Sequence, residues 1–198
     1  MNMPGQICAS PFERSFWVVP GTLLAGCYPG DQESVEAERK LNAIIGAGIR
    51  TFLNLMEPHE KNRAGAEFVP YEPQMKRLAA ERGVELSIVR MPVRDEDVPS
   101  VDFMAEILEA IDDSLRTGKP VYVHCWGGWG RTGTVVGCYL REHGFANGEA
   151  ALRRVAELRS KTADSRLPAP MTPAQVEMVR NWRPKIQSGA RRTIKWRR

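Results

Sequence analysis

A cysteine and an arginine six residues apart flank a glycine-rich turn in the stretch VYVHCWGGWGRTGTVV, residues 121–136. Three of the five residues between Cys125 and Arg131 are glycine, so the backbone there can adopt conformations closed to residues with a Cβ and turn its N–H groups inward. A ring of inward N–H groups is suited to binding an anion. We therefore expect a phosphate-binding loop made of Trp126, Gly127, Gly128, Trp129, Gly130 and Arg131.

The residue types at the two ends of this loop indicate phosphoryl transfer. Arg131 carries a planar guanidinium that can bind two oxygens of one phosphate. A helix predicted to start near Arg131 would add its free N–H groups and positive dipole end. The same donors stabilise a thiolate, so Cys125 would attack phosphorus in line and form a cysteinyl-phosphate. The hydroxyl of Thr132 would donate to the thiolate and help it to leave in the second step.

The segments that must position this loop alternate in type along the chain. Two short apolar runs in residues 15–30 are broken by Pro-Gly, which predicts a pair of strands joined by a tight turn. The segments that follow are predicted as helix 33–48, strand 49–56, helix 72–83, strand 84–93, helix 100–117, strand 120–125 and helices 131–143, 147–160 and 172–183. This order predicts an α/β fold with a largely parallel sheet and helices on its faces. Ligands of such sheets bind beyond the carboxyl ends of the strands, where the Cys125 loop lies.

Length and composition are those of one globular domain. The chain has 198 residues, of which 42% are apolar and 26% charged, enough for one sizeable core. We divide it into an N-terminal extension (1–14), a catalytic domain (15–183) and a basic C-terminal tail (184–198). Its four cysteines lack a CxxC pair, which argues against zinc and a secreted disulfide framework. With no signal-peptide pattern and no long apolar run, we expect a soluble, cytoplasmic protein.

The net charge of +4 is concentrated at one end of the chain. The eight basic residues after Glu177 carry +8, which leaves −4 on the remainder. The pI near 9.0 therefore describes a tail rather than a basic domain. Such a tail attracts nucleic acid or anionic lipid, or it is simply a solvated terminus.

The segment HCWGGWGRTG fits the pattern HCxxGxxR[ST]G, which is typical of the cysteine-dependent protein tyrosine phosphatases. Over residues 15–183 the chain resembles the compact dual-specificity branch of that superfamily, which includes cyclin-dependent-kinase-associated phosphatases, Cdc14-like phosphatases and small bacterial relatives. The resemblance implies a central, mostly parallel sheet of four or five strands flanked by helices, and no metal or cofactor. It also implies that His124 orients the loop rather than transferring protons.

The family also needs an acid, on a loop about thirty residues before the cysteine, that protonates the leaving oxygen. Here that segment reads MPVRDEDVPS. Asp95 stands thirty residues before Cys125 and four before Pro99, which resembles the DxxxP arrangement of the kinase-associated and Cdc14-like members. We predict Asp95 as the general acid, with Asp97 as the alternative. The same carboxylate would later deprotonate the hydrolytic water, and general acid catalysis of this kind contributes about 10²- to 10⁴-fold.

A late glutamine positions the attacking water in many relatives, and Gln175 resembles it in its order along the chain. The segment MTPAQVEMVRNW places Gln175 in the first turn of the last helix, with Thr172 as the cap and Pro173 at the first helical position. The alternative for Gln175 is an ordinary exposed residue at a helix start.

The loop departs from the family pattern in two respects. Trp129 is bulkier than the small or aliphatic residue usual there. Trp126 and Trp129 would wall the mouth of the pocket and stack on an aryl phosphate, or they would pack under neighbouring loops. The loop also contains no lysine, which weakens the case for an inositol or lipid substrate with several phosphates.

Two further cysteines have two interpretations each. Cys27 and Cys138 would either capture an oxidised Cys125 as a disulfide or serve as buried core residues.

These observations favour a phosphomonoester hydrolase that acts on phosphotyrosine, with phosphoserine and phosphothreonine as further substrates. The first alternative is a phosphatase of inositol phosphates or phosphoinositides that uses the same residues. A less favoured alternative is a phosphate-binding module without turnover. A nucleic-acid-binding protein would leave the loop unexplained. We expect as partner a phosphorylated protein or small phosphomonoester, with no nucleic acid and no membrane insertion, and a monomeric chain.

Overall fold

The computed structural model describes residues 9–144 and 147–184, and a five-stranded sheet forms its centre. The predicted N-terminal extension and basic tail fall largely on residues 1–8 and 185–198, outside this description. The strands are β1 (Ser15–Val19), β2 (Leu23–Gly26), β3 (Thr51–Asn54), β4 (Ser87–Arg90) and β5 (Val121–His124). Their order is β1-β2-β5-β3-β4, with β1 antiparallel to β2 and the other pairs parallel. The predicted mostly parallel sheet is thus confirmed.

Six helices in the described ranges complete the α/β fold: α1 (Ser34–Gly46), α2 (Glu72–Glu81), α3 (Val101–Arg116), α4 (Arg131–Glu142), α5 (Gly148–Arg159) and α6 (Pro173–Asn181). Each lies where the apolar periodicity predicted it. A side-chain cap is present at the start of α3, where the Ser100 hydroxyl accepts from Phe103 N at 3.1 Å. None of these helices is long and apolar enough to cross a membrane.

The sheet separates two apolar cores, and β5 contributes to both. Val121 and Val123 face the core that contains residues of α3, α4 and α5, whereas Tyr122 faces the core that contains residues of α1 and α2. This division follows from the alternation of side chains along a strand. β5 is also the central strand of the sheet and is paired on both edges.

The strand register brings four loops together at the carboxyl ends of the parallel strands. His124 is paired with Gly26 of β2 on one side and with Asn54 of β3 on the other, and Asn54 is paired with Arg90 of β4. The chain segments that leave these four residues therefore start side by side. Cys125 is the first residue after His124, so it lies among these loops.

Candidate active site

Cys125 lies at the base of the glycine-rich loop and is buried. The backbone N–H of Gly128 points at its sulfur, with N and Sγ 3.3 Å apart. The loop is fastened to the segment after β2, because Tyr28 N donates to the Trp126 carbonyl at 2.9 Å. The predicted inward turn of the backbone is therefore present at Gly128.

Position 128 requires glycine, both because of its backbone conformation and because of the atoms that surround it. Its φ is +85°, in the left-handed region that favours glycine. A Cβ at this position would lie 2.6 Å from the backbone nitrogen of Cys27 and from the carbonyl carbon of Gly26. Only glycine lets the loop approach the end of β2 this closely.

His124 orients the start of the loop from a fully buried position. Its Nδ1 lies 3.3 Å from the Cys125 carbonyl oxygen, and its Nε2 lies 3.0 Å from the Tyr71 hydroxyl. Burial lowers the pKa of His124 to about 3 and raises the pKa of Tyr71, so the imidazole is neutral and the phenol keeps its proton. The hydroxyl therefore donates to Nε2, and Nδ1–H donates to the carbonyl.

Arg131 opens α4 and is held by a carboxylate that the motif does not contain. Both terminal nitrogens bind Glu60, at 2.7 and 2.8 Å, and Nη1 also donates to the Val93 carbonyl at 3.0 Å. Burial alone would lower the pKa of Arg131, but the Glu60 hydrogen bonds and the negative charges around it raise that pKa overall. The guanidinium is thus a permanent buried cation.

One edge of the guanidinium remains available to a ligand. Nε of Arg131 is buried and has no hydrogen-bond partner among the described residues. Its neighbour Nη2 contacts the carboxylate of Asp95 at 2.9 Å. Because Glu60 takes one N–H from each terminal nitrogen, a phosphate can bind Nε–H and, by displacing Asp95, the second N–H of Nη2.

The geometry brings Asp95, rather than Asp97, to the arginine. Asp95 keeps 44% of its side chain exposed while one oxygen reaches Arg131, so it stands between solvent and the loop. Asp97 instead accepts from the backbone N–H of Val98 at 2.8 Å. These contacts favour Asp95 as the acid that the sequence analysis predicted.

Thr132 is buried in the first turn of α4. Its hydroxyl donates to the Gly26 carbonyl at 3.5 Å, and that oxygen belongs to the end of β2. A bond from Thr132 to the departing thiolate stays a prediction, and it requires the hydroxyl to turn from Gly26 towards the sulfur.

Gln175 lies in the first turn of α6, with Thr172 as the cap and Pro173 at the first helical position, as predicted. It is fully buried, so an exposed glutamine at this helix start is excluded. Its Oε1 accepts from Met171 N at 3.1 Å and Thr172 N at 3.2 Å, and its Nε2 donates to the Asp97 carbonyl at 3.1 Å. Gln175 therefore joins the start of α6 to the loop that carries the acid, and a role in positioning water stays a prediction.

Gln175 also lies against the phosphate-binding loop. A Cβ built on Gly130 would come within 3.3 Å of Gln175 Oε1. The amide of Gln175 thus lies beside Gly130 of the phosphate-binding loop and is hydrogen-bonded to the backbone of the acid loop.

The two tryptophans are half-buried and have different neighbours. The ring of Trp126 packs edge-on against Phe68 at 5.6 Å, and the guanidinium of Arg63 lies 5.9 Å from the Trp126 ring centroid. Trp129 donates its Nε1–H to the sulfur of Met171 at 3.3 Å. Both side chains pack against neighbouring loops, and Trp126 does so beside the loop that contains Glu60.

Cys27 and Cys138 are buried and carry free thiols. Burial raises the pKa of Cys27 to about 11 and the pKa of Cys138 further still, so both are protonated at neutral pH. They are core cysteines in this structure. A disulfide with oxidised Cys125 stays a prediction, and Cys8 lies outside the described residues.

Sequence reasoning missed Glu60, the residue that holds Arg131. It follows β3 in the polar segment EPHEKNRAGAE, which also contains Glu57 and Glu67. The position of Glu60 after a predicted strand could have indicated a role in the site, because residues that follow neighbouring parallel strands lie close together. Three glutamates without periodicity gave no means of choosing among them.

The fold and the arrangement of the site place the chain in the protein tyrosine phosphatase class. The crystal structure of Tk-PTP in its active form has a TM-score of 0.60 with this chain at 26% identity, and the match covers 87% of this chain and 98% of that one. Residues 13–191 match the family described as Swiss Army Knife protein, DSP-PTPase phosphatase domain, and the chain belongs to that family. The predicted resemblance to the compact dual-specificity branch is confirmed.

Curated relatives share this domain within longer proteins. The mouse protein tyrosine phosphatase domain-containing protein 1 is 28% identical over 151 residues, which are 76% of this chain and 19% of the relative. The Arabidopsis thaliana phosphatidylglycerophosphate phosphatase PTPMT2 is 31% identical over 115 residues, which are 58% of this chain and 45% of the relative. The chain therefore spans about a fifth of the first relative and less than half of the second.

Proposed function

We propose that this chain hydrolyses phosphomonoesters through a cysteinyl-phosphate on Cys125. The observation that carries the proposal is the orientation of the N–H donors at the two ends of the loop, next to Cys125 and on Arg131. The sulfur of Cys125 faces the Gly128 N–H, and the Arg131 guanidinium is locked by Glu60 with its Nε–H unpaired among the described residues. A tetrahedral dianion satisfies these donors while its phosphorus lies over the sulfur.

In the first step the thiolate of Cys125 attacks phosphorus and the bond from phosphorus to the ester oxygen breaks. The loop amides and the free edge of Arg131 bind the other phosphoryl oxygens. The incoming oxygens compete with Asp95 for Nη2 of Arg131, so Asp95 is released beside the leaving group. Once released from the guanidinium, Asp95 takes up a proton from solvent and transfers it to the leaving oxygen.

In the second step a water molecule attacks the phosphorus of the cysteinyl-phosphate. The Asp95 carboxylate accepts the proton of that water, and the bond between sulfur and phosphorus breaks. The sulfur leaves as a thiolate, which the Gly128 N–H stabilises, and the Thr132 hydroxyl would assist it. Inorganic phosphate is the product and Cys125 is again a thiolate, while Asp95 returns its proton to solvent when it pairs with Arg131 again.

Phosphotyrosine is the substrate class that we favour. Trp126 and Phe68 present aromatic surface next to the loop, on which the ring of an aryl ester can stack. The mouse relative is named a protein tyrosine phosphatase domain-containing protein, which points to the same class. Phosphoserine and phosphothreonine would use the same residues.

A phospholipid head group is the second candidate substrate. The Arabidopsis relative is named a phosphatidylglycerophosphate phosphatase. In this chain exposed Arg63 places a cation beside Trp126, where a second anionic group of a substrate would find a partner. The chemistry at Cys125 would be unchanged.

A rate panel with matched variants tests both candidates. We expect the wild-type chain to release phosphate fastest from phosphotyrosine peptides, compared with phosphoserine peptides, inositol phosphates and phosphatidylglycerophosphate in mixed micelles. Cys125→Ser should abolish turnover but retain binding of tungstate, whereas Cys27→Ser should keep turnover. Phosphate release by Cys125→Ser would refute the nucleophile. Phosphopeptide binding by the wild-type chain without any release would indicate a binding module.

A further inference from the structure

Arg14, which belongs to no recognised motif, contacts the phosphate-binding loop. It lies immediately before β1, and its Nη2 donates to the Gly127 carbonyl at 3.0 Å. Its guanidinium carbon also lies 5.3 Å from the centroid of the Trp129 ring. These contacts join two residues of the loop to a segment more than a hundred positions away in sequence.

Asp164 holds this arginine in place. Its Oδ2 accepts from Arg14 Nε at 2.9 Å, while its Oδ1 pairs with the buried Arg159 at 3.0 Å. Burial alone would lower the pKa of Arg14, but nearby negative groups, including the Asp164 carboxylate, raise that pKa overall. Arg14 is therefore a charged donor with a set orientation, since its Nε and its Nη2 serve different partners.

The carbonyl that Arg14 binds shares its peptide unit with the N–H that faces the nucleophile. The Gly127 C=O and the Gly128 N–H belong to one planar trans peptide, in which these two groups point in opposite directions. The carbonyl oxygen accepts from Arg14, and the nitrogen lies 3.3 Å from the sulfur of Cys125. Rotation of this peptide away from Arg14 would also turn the N–H away from the sulfur.

We propose that Arg14 is a positioning residue that keeps the Gly128 N–H aimed at the Cys125 sulfur. Glycines on both sides leave this peptide free to rotate, and the hydrogen bond from a cation opposes that rotation. A cation on the carbonyl also polarises the peptide, which strengthens its N–H as a donor to the thiolate. The inference rests on the proposed role of Cys125 as the nucleophile.

The pH dependence of Cys125 alkylation by iodoacetamide measures the thiolate directly and needs no substrate. Peptide mass spectrometry locates the label on Cys125. We expect Arg14→Met to move the midpoint of this profile to higher pH by about one unit and to slow alkylation below the midpoint about tenfold. Arg14→Lys should shift it in the same direction by a smaller amount, because the lysine Nζ lies one bond short of the Nη2 position that donates to the Gly127 carbonyl.

Arg39→Met is the matched control. Arg39 is 45% exposed, close to the 40% of Arg14, and it is paired with Glu13 and Glu36 without contact to the loop. The pH profile of Cys125 alkylation in Arg39→Met should superimpose on that of the wild-type chain. A purely structural role of Arg14 would lower the melting temperature without moving the alkylation midpoint.

A wild-type profile in folded Arg14→Met or in folded Arg14→Lys would overturn the inference, and if the methionine variant does not fold, the lysine variant decides. An ordinary thiol profile in the wild-type chain itself would count against the proposed function, since Cys125 would then not be a thiolate at neutral pH. The two failures are therefore distinguishable in one experiment.

Discussion

The carboxylate of Glu60 binds both terminal nitrogens of Arg131, in a pair whose side chains are only 8% and 1% exposed. Glu60→Ala would leave a buried guanidinium without its main counter-charge. We expect it to lower the free energy of unfolding by about 3–5 kcal/mol, as measured by urea denaturation. Exposed Glu67 on the same loop provides the control, because Glu67→Ala should cost less than about 1 kcal/mol. Equal losses in the two variants would show that the pair does not stabilise the fold.

Asp95→Asn removes the proton donor that we predict for the leaving oxygen. The turnover number should fall by about 10²- to 10⁴-fold for alkyl-substituted phenyl phosphates. The fall should be smaller for p-nitrophenyl phosphate, because nitrophenolate leaves without much help from a proton. Asp97→Asn is the matched variant two positions away, and it should retain most of the turnover. If the larger loss appears in Asp97→Asn instead, the acid is Asp97.

Gln175→Glu keeps an oxygen for the two backbone donors before α6 but loses the N–H that binds the Asp97 carbonyl. Because this bond holds the acid loop, we expect the first chemical step to slow about tenfold, most strongly for poor leaving groups. Measured across a series of aryl phosphates, the loss should grow as the phenol becomes less acidic. A water-positioning role would instead slow the second step equally for all esters and raise the burst of phenol release. That burst would contradict the acid-loop role.

His124 should make the stability of the chain depend on pH. Its pKa is about 3 in the folded protein against about 6.5 for an ordinary histidine, so the unfolded chain takes up the proton first as the pH falls. The contribution of neutral His124 to the free energy of unfolding is complete above about pH 6.5. It is lost as the pH falls towards 3, at no more than about 1.4 kcal/mol per pH unit. Urea denaturation at several pH values should show a shallower dependence for His124→Asn. His59 is exposed, so His59→Asn should show the same pH dependence as the wild-type chain. If the curve for His124→Asn is parallel to that of the wild-type chain, His124 is not the origin of the pH dependence.

The parts of the site that local sequence determines were predictable. The glycine and arginine spacing predicted the loop from Trp126 to Arg131, and apolar periodicity predicted the strand before it and the helix after it. Thr172, Pro173 and Gln175 were placed at the start of α6 because capping depends on a few adjacent residues.

The parts that depend on how distant segments meet were not predictable. Glu60 reaches Arg131 across 71 positions, and Arg14 reaches Gly127 across 113. Both contacts follow from the strand order, which places β2 and β3 on either side of β5, and no short-range pattern encodes that order. The burial of Gln175 likewise depends on how α6 packs against the two loops.

Because β5 is paired on both edges, the strand that leads to Cys125 should resist local unfolding more strongly than the loop that carries Asp95. The amides of Val121–His124, enclosed between β2 and β3, should exchange with deuterium only when the whole domain opens, whereas the segment around Asp95, held mainly by side-chain bonds from Gln175 and Arg131, should open locally. Cys125 is joined directly to the part that opens last. Warming the chain should therefore impair protonation of the leaving group while oxyanions still bind, so that catalysis fails before recognition does.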